Sequence, residues 1–149
     1  MNAHHNNDDV RGWFLRLLMR RSCTCQEARK RLLEREVDED MAEALIVEAQ
    51  EMGFLDDAAY ARLFAESHIS WGNKRIDYEL GRRGVSDDDI QRGLEDIPDE
   101  EERLEPVVSS WRKNGLEERK IIARLYRRGF DGSAIWTVCQ EQEDFDDEE

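Results

Sequence analysis

The chain has 149 residues and a formal net charge of −14, with 39% charged and 39% hydrophobic residues and only two prolines. That length fits one or two compact units and is enough to bury a real core, while the acidity argues on its face against nucleic acid as a partner. No apolar run approaches the roughly 20 residues that a membrane helix needs. Met1 to Asp9 is polar and reads as no secretory signal. Cys23, Cys25 and Cys139 are odd in number and lack a framework spacing, so a reduced cytoplasm is the expected home. Glu, Arg, Leu and Ala dominate, and no stretch alternates apolar and polar residues for long, which favours helix.

The helical signals come in series. Trp13, Phe14, Leu17 and Leu18 form a first stripe. Thr24 with Glu27 is a capping box that opens a helix through Leu32 and Leu33. Val37 and Asp38 mark a break. Met41, Leu45, Ala49 and Met52 carry the third helix to Gly53, a good residue just past a helix end. Asp56 is the next cap, ahead of Tyr60, Leu63, Phe64 and Ser67, and Gly72 and Asn73 end that helix. Ile76 and Leu80 lead to Gly84, and Ser86 caps a helix carrying Ile90, Leu94 and Ile97 that stops at Pro98. Leu104, Val108 and Trp111 run to Asn114 and Gly115. Ile121, Ile122 and Leu125 run to Gly129, and Asp131 or Ser133 starts the helix of Ile135, Trp136, Val138 and Cys139.

These are nine short helices in three groups of three, and the groups align. Leu80, Arg82, Arg83, Gly84, Val85, Ser86 and Ile90 match Leu125, Arg127, Arg128, Gly129, Phe130, Asp131 and Ile135, while Leu32, Arg35, Val37 and Asp38 match more loosely. Glu36 stands where the other two groups have Gly84 and Gly129. Offsets of about 48 and 45 residues make this an internal repeat. The expected fold class is all-α: three tandem three-helix, helix-turn-helix-like repeats in an elongated curved array, because a unit of this size buries little until it stacks. The expected repeats are residues 11–53, 54–98 and 99–140. They are flanked by a disordered N-terminus, 1–10, and an acidic disordered tail, 141–149, with seven acids in nine positions.

The total charge hides a pattern. Residues 11–35 carry eight bases and two acids, residues 36–57 nine acids and no base, and residues 106–130 seven bases and two acids. Basic charge recurs on and just before the middle helix of each group, acidic charge on the third. Arg35, Arg83 and Arg128 fall at equivalent positions, so stacked repeats are expected to line up Arg35, Lys74, Arg75, Arg82, Arg83, Arg127 and Arg128 as a basic stripe. The same residues also suit an ordinary solvated face and helix C-termini. Trp71, in a predicted loop ahead of Lys74 and Arg75, suits stacking on a base or anchoring a partner, or else covering a helix end. Trp13, Tyr60, Phe64, Trp111 and Trp136 read as core.

No catalytic constellation is visible. Gly81-Arg-Arg-Gly84 lacks the spacing and ending of a phosphate loop, and no nucleophile elbow is present. Cys23 and Cys25, with His4 and His5 upstream, read as a helix-entry turn holding two thiols rather than as a metal half-site. The reading is a binding protein, not an enzyme, with no cofactor and no metal.

Gly53-Phe-Leu-Asp-Asp-Ala-Ala-Tyr-Ala-Arg-Leu-Phe-Ala65 resembles the central signature of RecX proteins: a glycine, two apolar residues, an acidic pair, then an aromatic-Ala step in a helix. Lys74-Arg75-Ile76, Glu79-Leu80 and Arg83-Gly84-Val85 are similar to its second half. Leu17-Leu18 with Arg20-Arg21, and Thr24 with Glu27, resemble its opening, and Arg127-Arg128-Gly129-Phe130 resembles the closing repeat. Ala28 departs from a usual Leu. The resemblance covers about residues 11–140. It implies three tandem three-helix repeats and a monomer that engages the RecA nucleoprotein filament, with its single- or double-stranded DNA. It further implies damping of the recombinase, ATPase and co-protease activities in DNA repair and the SOS response. The alternative is a free-standing helix-turn-helix DNA-binding regulator. That reading needs a dimer with base-reading side chains on a recognition helix, and the middle helices here carry Arg and Lys among aliphatic residues, which suits phosphates better than bases.

Overall fold

The structure is a computed structural model; it describes the backbone of residues 3–147 and the side chains of residues 8–140. Among the described residues there are nine α-helices and no strand: α1 (Ala3–Arg20), α2 (Cys25–Glu34), α3 (Glu39–Glu51), α4 (Asp57–Ser67), α5 (Asn73–Arg82), α6 (Asp87–Glu95), α7 (Glu100–Lys113), α8 (Glu118–Arg127) and α9 (Gly132–Asp147). Side-chain caps set these boundaries, those at Thr24, Asp56 and Ser86 as read from the sequence. Thr24 accepts from the Glu27 amide while Glu27 reaches back to the Thr24 amide, and Asp38, Asp56, Ser86 and Asp99 each accept from the amide three residues on.

Residues 3–10 and 141–147, expected as unstructured arms, carry helical backbone as continuations of α1 and α9. Extending an existing helix adds a hydrogen bond per residue without a new nucleation cost, and neither segment contains a glycine or proline to stop it. Side chains 1–7 and 141–149, His4 and His5 among them, lie outside the described residues.

The buried residues fall into three clusters, one for each group of helices. Phe14, Leu17, Leu32, Leu45 and Ile46 centre the first; Ala61, Ala65, Ile76, Leu80 and Ile90 the second; Leu104, Val108, Ile121, Leu125 and Ile135 the third. The second is built on small residues along α4, so α6 lies close against it: a Cβ on Gly93 would stand 3.0 Å from the Ala61 carbonyl carbon.

The repeats meet through a joint that occurs twice. At each, the N-terminus of one middle helix seats on the C-terminus of the next. Thr24 donates its hydroxyl to the Arg83 carbonyl at 2.7 Å, and the Cys25 amide donates to Asp57, the first residue of α4, at 2.9 Å. One repeat on, the Gly72 and Lys74 amides donate to the Arg128 and Gly129 carbonyls at 2.8 and 3.2 Å, and the Asn73 amide donates to Glu100, the first residue of α7, at 2.7 Å. Helix N-termini leave amides unpaired and C-termini leave carbonyls unpaired; at the second joint the two ends satisfy each other directly, and at the first the Thr24 hydroxyl takes the carbonyl, with the helix dipoles head to tail at both. A carboxylate from the neighbouring repeat completes the pairing.

The second joint is the more buried. Glu100, 8% exposed, also accepts from the Asp131 amide at 2.7 Å, so one carboxylate serves the beginnings of both α5 and α9. Arg103, 6% exposed, donates to Asn73 at 2.7 Å and to the carbonyls of Trp71 and Pro98 at 3.2 Å. Removing the Glu100 carboxylate orphans two half-buried amides. Glu100→Ala is expected to lower stability by about 2–4 kcal/mol, and Glu100→Gln, which keeps one acceptor, by less. Urea unfolding followed by circular dichroism measures both.

Candidate functional site

The first joint builds a cleft. The middle helix of repeat 1 presents Gln26, Lys30 and Glu34 at i, i+4 spacing, with Glu27 and Arg31 alongside, and the turn before it holds Arg21 and Cys23. Seating Thr24 on the Arg83 carbonyl brings the end of α5, Arg82 and Arg83, to face them. The cleft has a volume of about 480 Å³ and is lined by five cations, Arg21, Lys30, Arg31, Arg82 and Arg83, against the carboxylates of Glu27 and Glu34.

Arg83 is the fixed member. Its guanidinium donates to the Glu79 carbonyl at 3.0 Å and the Glu79 carboxylate at 2.9 Å, and its carbon lies 4.8 Å from the Phe64 ring centroid. The Arg83 guanidinium holds the Glu79 carboxyl below its ordinary range. Arg82 is exposed and 3.5 Å from Glu79, while Arg21, Lys30 and Arg31 are exposed. Opposite charges this sparse leave the cleft cationic within a strongly acidic chain. Such an arrangement attracts a polyanion in proportion to the counterions it displaces.

The remaining sequence candidates divide. Arg35, Arg83 and Arg128 are the C-caps of α2, α5 and α8, so their equivalence is a structural fact. Each rests on an aromatic ring of its own repeat's first helix: Arg35 4.4 Å over Trp13, Arg83 over Phe64, Arg128 4.9 Å over Trp111. Arg128 also donates to the Ser70 carbonyl at 3.3 Å. Arg127 is exposed at the end of α8.

Trp71 does lie in the loop between α4 and α5, but half-buried. Arg75 sits 3.8 Å over its ring, His68 stands at 4.2 Å, and His68 in turn stacks on Phe64 at 4.1 Å. Packing of this kind suits a ring that holds the helix ends together, the second of the two roles the sequence left open. Lys74 is drawn away from the basic cleft: it lies 3.5 Å from Asp131, in a separate cleft with Asp99, Glu100 and Glu101.

Trp136, expected in the core, is 64% exposed beside Tyr126 and Ile122. Ile135 and Val138 take the buried face of α9, and a helix one residue out of phase turns its neighbour to solvent.

Sequence reading missed Arg21, Lys30 and Arg31. Their charge is visible in the basic surplus of residues 11–35, but nothing in sequence says which cations face Arg82 across a joint that spans 59 residues of chain.

The two thiols beside the cleft are poor nucleophiles. Burial pushes the Cys23 thiol up, with Glu27 adding to it. Burial and the adjacent Asp57 carboxylate push the Cys25 thiol up to about 11. Among the described residues no cluster of His, Cys, Asp and Glu is arranged to hold a metal ion, and no helix is long and apolar enough to cross a membrane.

Known proteins carry the same architecture. The family model for RecX, second three-helix domain, matches residues 56–94, from the N-cap of α4 to one residue short of the end of α6. A regulatory protein RecX of Halorhodospira halophila is 31% identical over 140 residues, covering 87% of this chain and 85% of its own. The chain belongs to the RecX family. Another regulatory protein RecX, from Lactobacillus delbrueckii subsp. bulgaricus, is 33% identical over 129 residues, 79% of this chain and 48% of its own, so the chain spans about half the length of that relative. The crystal structure of RecX from Lactobacillus salivarius superposes with a TM-score of 0.83 at 20% identity, covering 94% of this chain and 98% of that one, and so shares the fold.

With its thiol pKa pushed up to about 11, Cys25 is a negligible thiolate at neutral pH. Its alkylation by iodoacetamide, resolved by fragment mass spectrometry, is expected to rise about tenfold per pH unit from pH 7 to 9. A plateau below pH 9 would contradict this environment.

Proposed function

We propose that this chain binds the RecA nucleoprotein filament and lowers its recombinase, ATPase and co-protease activities, meeting the filament's nucleic acid through the cationic cleft between α2 and α5. The reading rests on the family to which the chain belongs and on one observation: five cations converge at the joint of repeats 1 and 2 in a chain of net charge −14. The acidity elsewhere repels bulk DNA, so naked DNA is held weakly and the filament is preferred through protein contacts. Arg35, Arg127 and Arg128 extend the same surface in this reading, whereas Trp71, Lys74 and Arg75 serve it less directly because of what already covers them. The chain acts as a cytoplasmic monomer. Arginine and lysine among aliphatic side chains contact phosphates, which carry register and affinity but no sequence preference.

Co-sedimentation with RecA filaments against naked duplex DNA tests the partner, and RecA-catalysed ATP hydrolysis tests the sign. Filament pelleting without duplex pelleting, with slowed hydrolysis, supports the proposal. Tight binding to duplex alone supports a free-standing DNA-binding regulator.

The cleft has its own prediction. Replacing Arg21, Lys30, Arg31 and Arg82 by Ala leaves the Arg83–Glu79–Phe64 contacts in place, and helicity is expected to be kept because Ala favours helix. The log–log salt slope of filament binding is expected to flatten by roughly 0.7–0.9 for each phosphate that the variant no longer neutralises, and inhibition of hydrolysis to weaken with it. A folded variant that inhibits like the parent moves the nucleic-acid surface elsewhere.

A further inference from the structure

The joint has a stereochemical requirement at its receiving end. Past the end of each middle helix the chain turns through one residue in the left-handed region: Glu36 at φ 63°, Gly84 at 88° and Gly129 at 86°. The three turns share one hydrogen-bonding pattern. The amide of the left-handed residue donates three residues back, at 2.9, 3.0 and 3.0 Å, and the next amide donates five back, at 3.1, 3.1 and 3.2 Å. The backbone at the end of α2 therefore matches the two ends that already receive a neighbour.

The side chain does not match. At Gly84 an added Cβ would lie 1.8 Å from Oε1 of Gln26, the second residue of the incoming helix; at Gly129 it would lie 2.5 Å from the backbone nitrogen of Arg75, the third residue of its own incoming helix. A joint closes only where the receiving turn has no Cβ. Glu36 has one, together with a charge, and it accepts a left-handed backbone that glycine adopts far more readily.

At the other end of the array, α8 is the middle helix whose N-terminus has no repeat seated against it among the described residues. Glu117 caps it with no side-chain hydrogen bond. One copy's α8, whose cap Glu117 carries a Cβ as the cap Thr24 does at the first joint, is thus matched in backbone to another copy's α2 end, but for Glu36.

We infer that Glu36 is a stop residue, which closes the α2 end of the array to the α8 N-terminus of a second copy and so prevents head-to-tail growth. Heterologous contacts of this kind generate open filaments when the rotation does not close, so a repeat array needs an end that refuses its own kind.

Sedimentation velocity of the full chain over a hundredfold concentration range tests this, with circular dichroism confirming fold. The parent and Glu36→Ala, which keeps the Cβ, are expected to sediment as monomers throughout. Glu36→Gly is expected to show a weight-average sedimentation coefficient that rises with concentration past that of a dimer. Adding Glu117→Pro should return it to monomer. The Glu117 φ of −64° already fits the proline ring, and proline removes the amide equivalent to the one Gly72 uses at the second joint. The inference is overturned if Glu36→Gly stays monomeric at the highest concentration. Association of Glu36→Ala to the same degree, or persistence of the oligomer with Glu117→Pro, overturns it as well.

Discussion

Everything in this molecule that spans more than one repeat depends on satisfying the amides at the start of a middle helix. Those amides cannot be left dry, and a short helix has few ways to pair them. At α5 they are paired from outside the repeat, by C-terminal carbonyls and a carboxylate belonging to the next one; at α2 a carboxylate of the next repeat takes the Cys25 amide while the C-terminal carbonyl takes the Thr24 hydroxyl. The dipoles of α2, α5 and α8 then run head to tail, and the two carboxylates, Asp57 and Glu100, sit at the first position of α4 and α7, where they also favour their own helices. One arrangement thus sets the register between repeats and strengthens each repeat locally.

The joint also decides where charge is displayed. Seating α2 on α5 brings cations from residues 21–31 against Arg82 and Arg83, while the second joint, filled by Glu100, Arg103 and Asn73, becomes a buried polar network beside an acidic cleft. Two cations of one helix therefore end in unequal surroundings: Lys74 lies in a cleft of carboxylates, whereas Arg82, beside Glu79, lines the cleft of five cations. A strongly acidic chain can present a cationic patch only through such local contrast, because screening at physiological salt confines the influence of each patch to about 8 Å.

Aromatic residues take a part that charge patterning alone would assign to solvent. Trp13, Phe64 and Trp111 each hold the arginine that caps the middle helix of their repeat. The arginine's planar, weakly hydrated head suits that contact, and lysine would serve it poorly. This packing keeps the capping carbonyls of Arg83 and Arg128, which receive Thr24 and Gly72, in a fixed place.

Local chemistry was legible in the sequence. The capping box at Thr24, the caps at Asp56 and Ser86, the glycines past helix ends and the threefold repetition all follow from short-range rules that act within a turn or two of helix, and the structure keeps them. The equivalence of Arg35, Arg83 and Arg128 was legible for the same reason. The facing of Arg21, Lys30 and Arg31 toward Arg82, the covering of Trp71 by Arg75, the pairing of Lys74 with Asp131 and the exposure of Trp136 were decided only when the repeats met. The physical reason is that a periodic pattern fixes which face of a helix is apolar, whereas the partner of a polar or half-exposed side chain depends on contacts across dozens of residues, and those are set by how helix ends seat on one another.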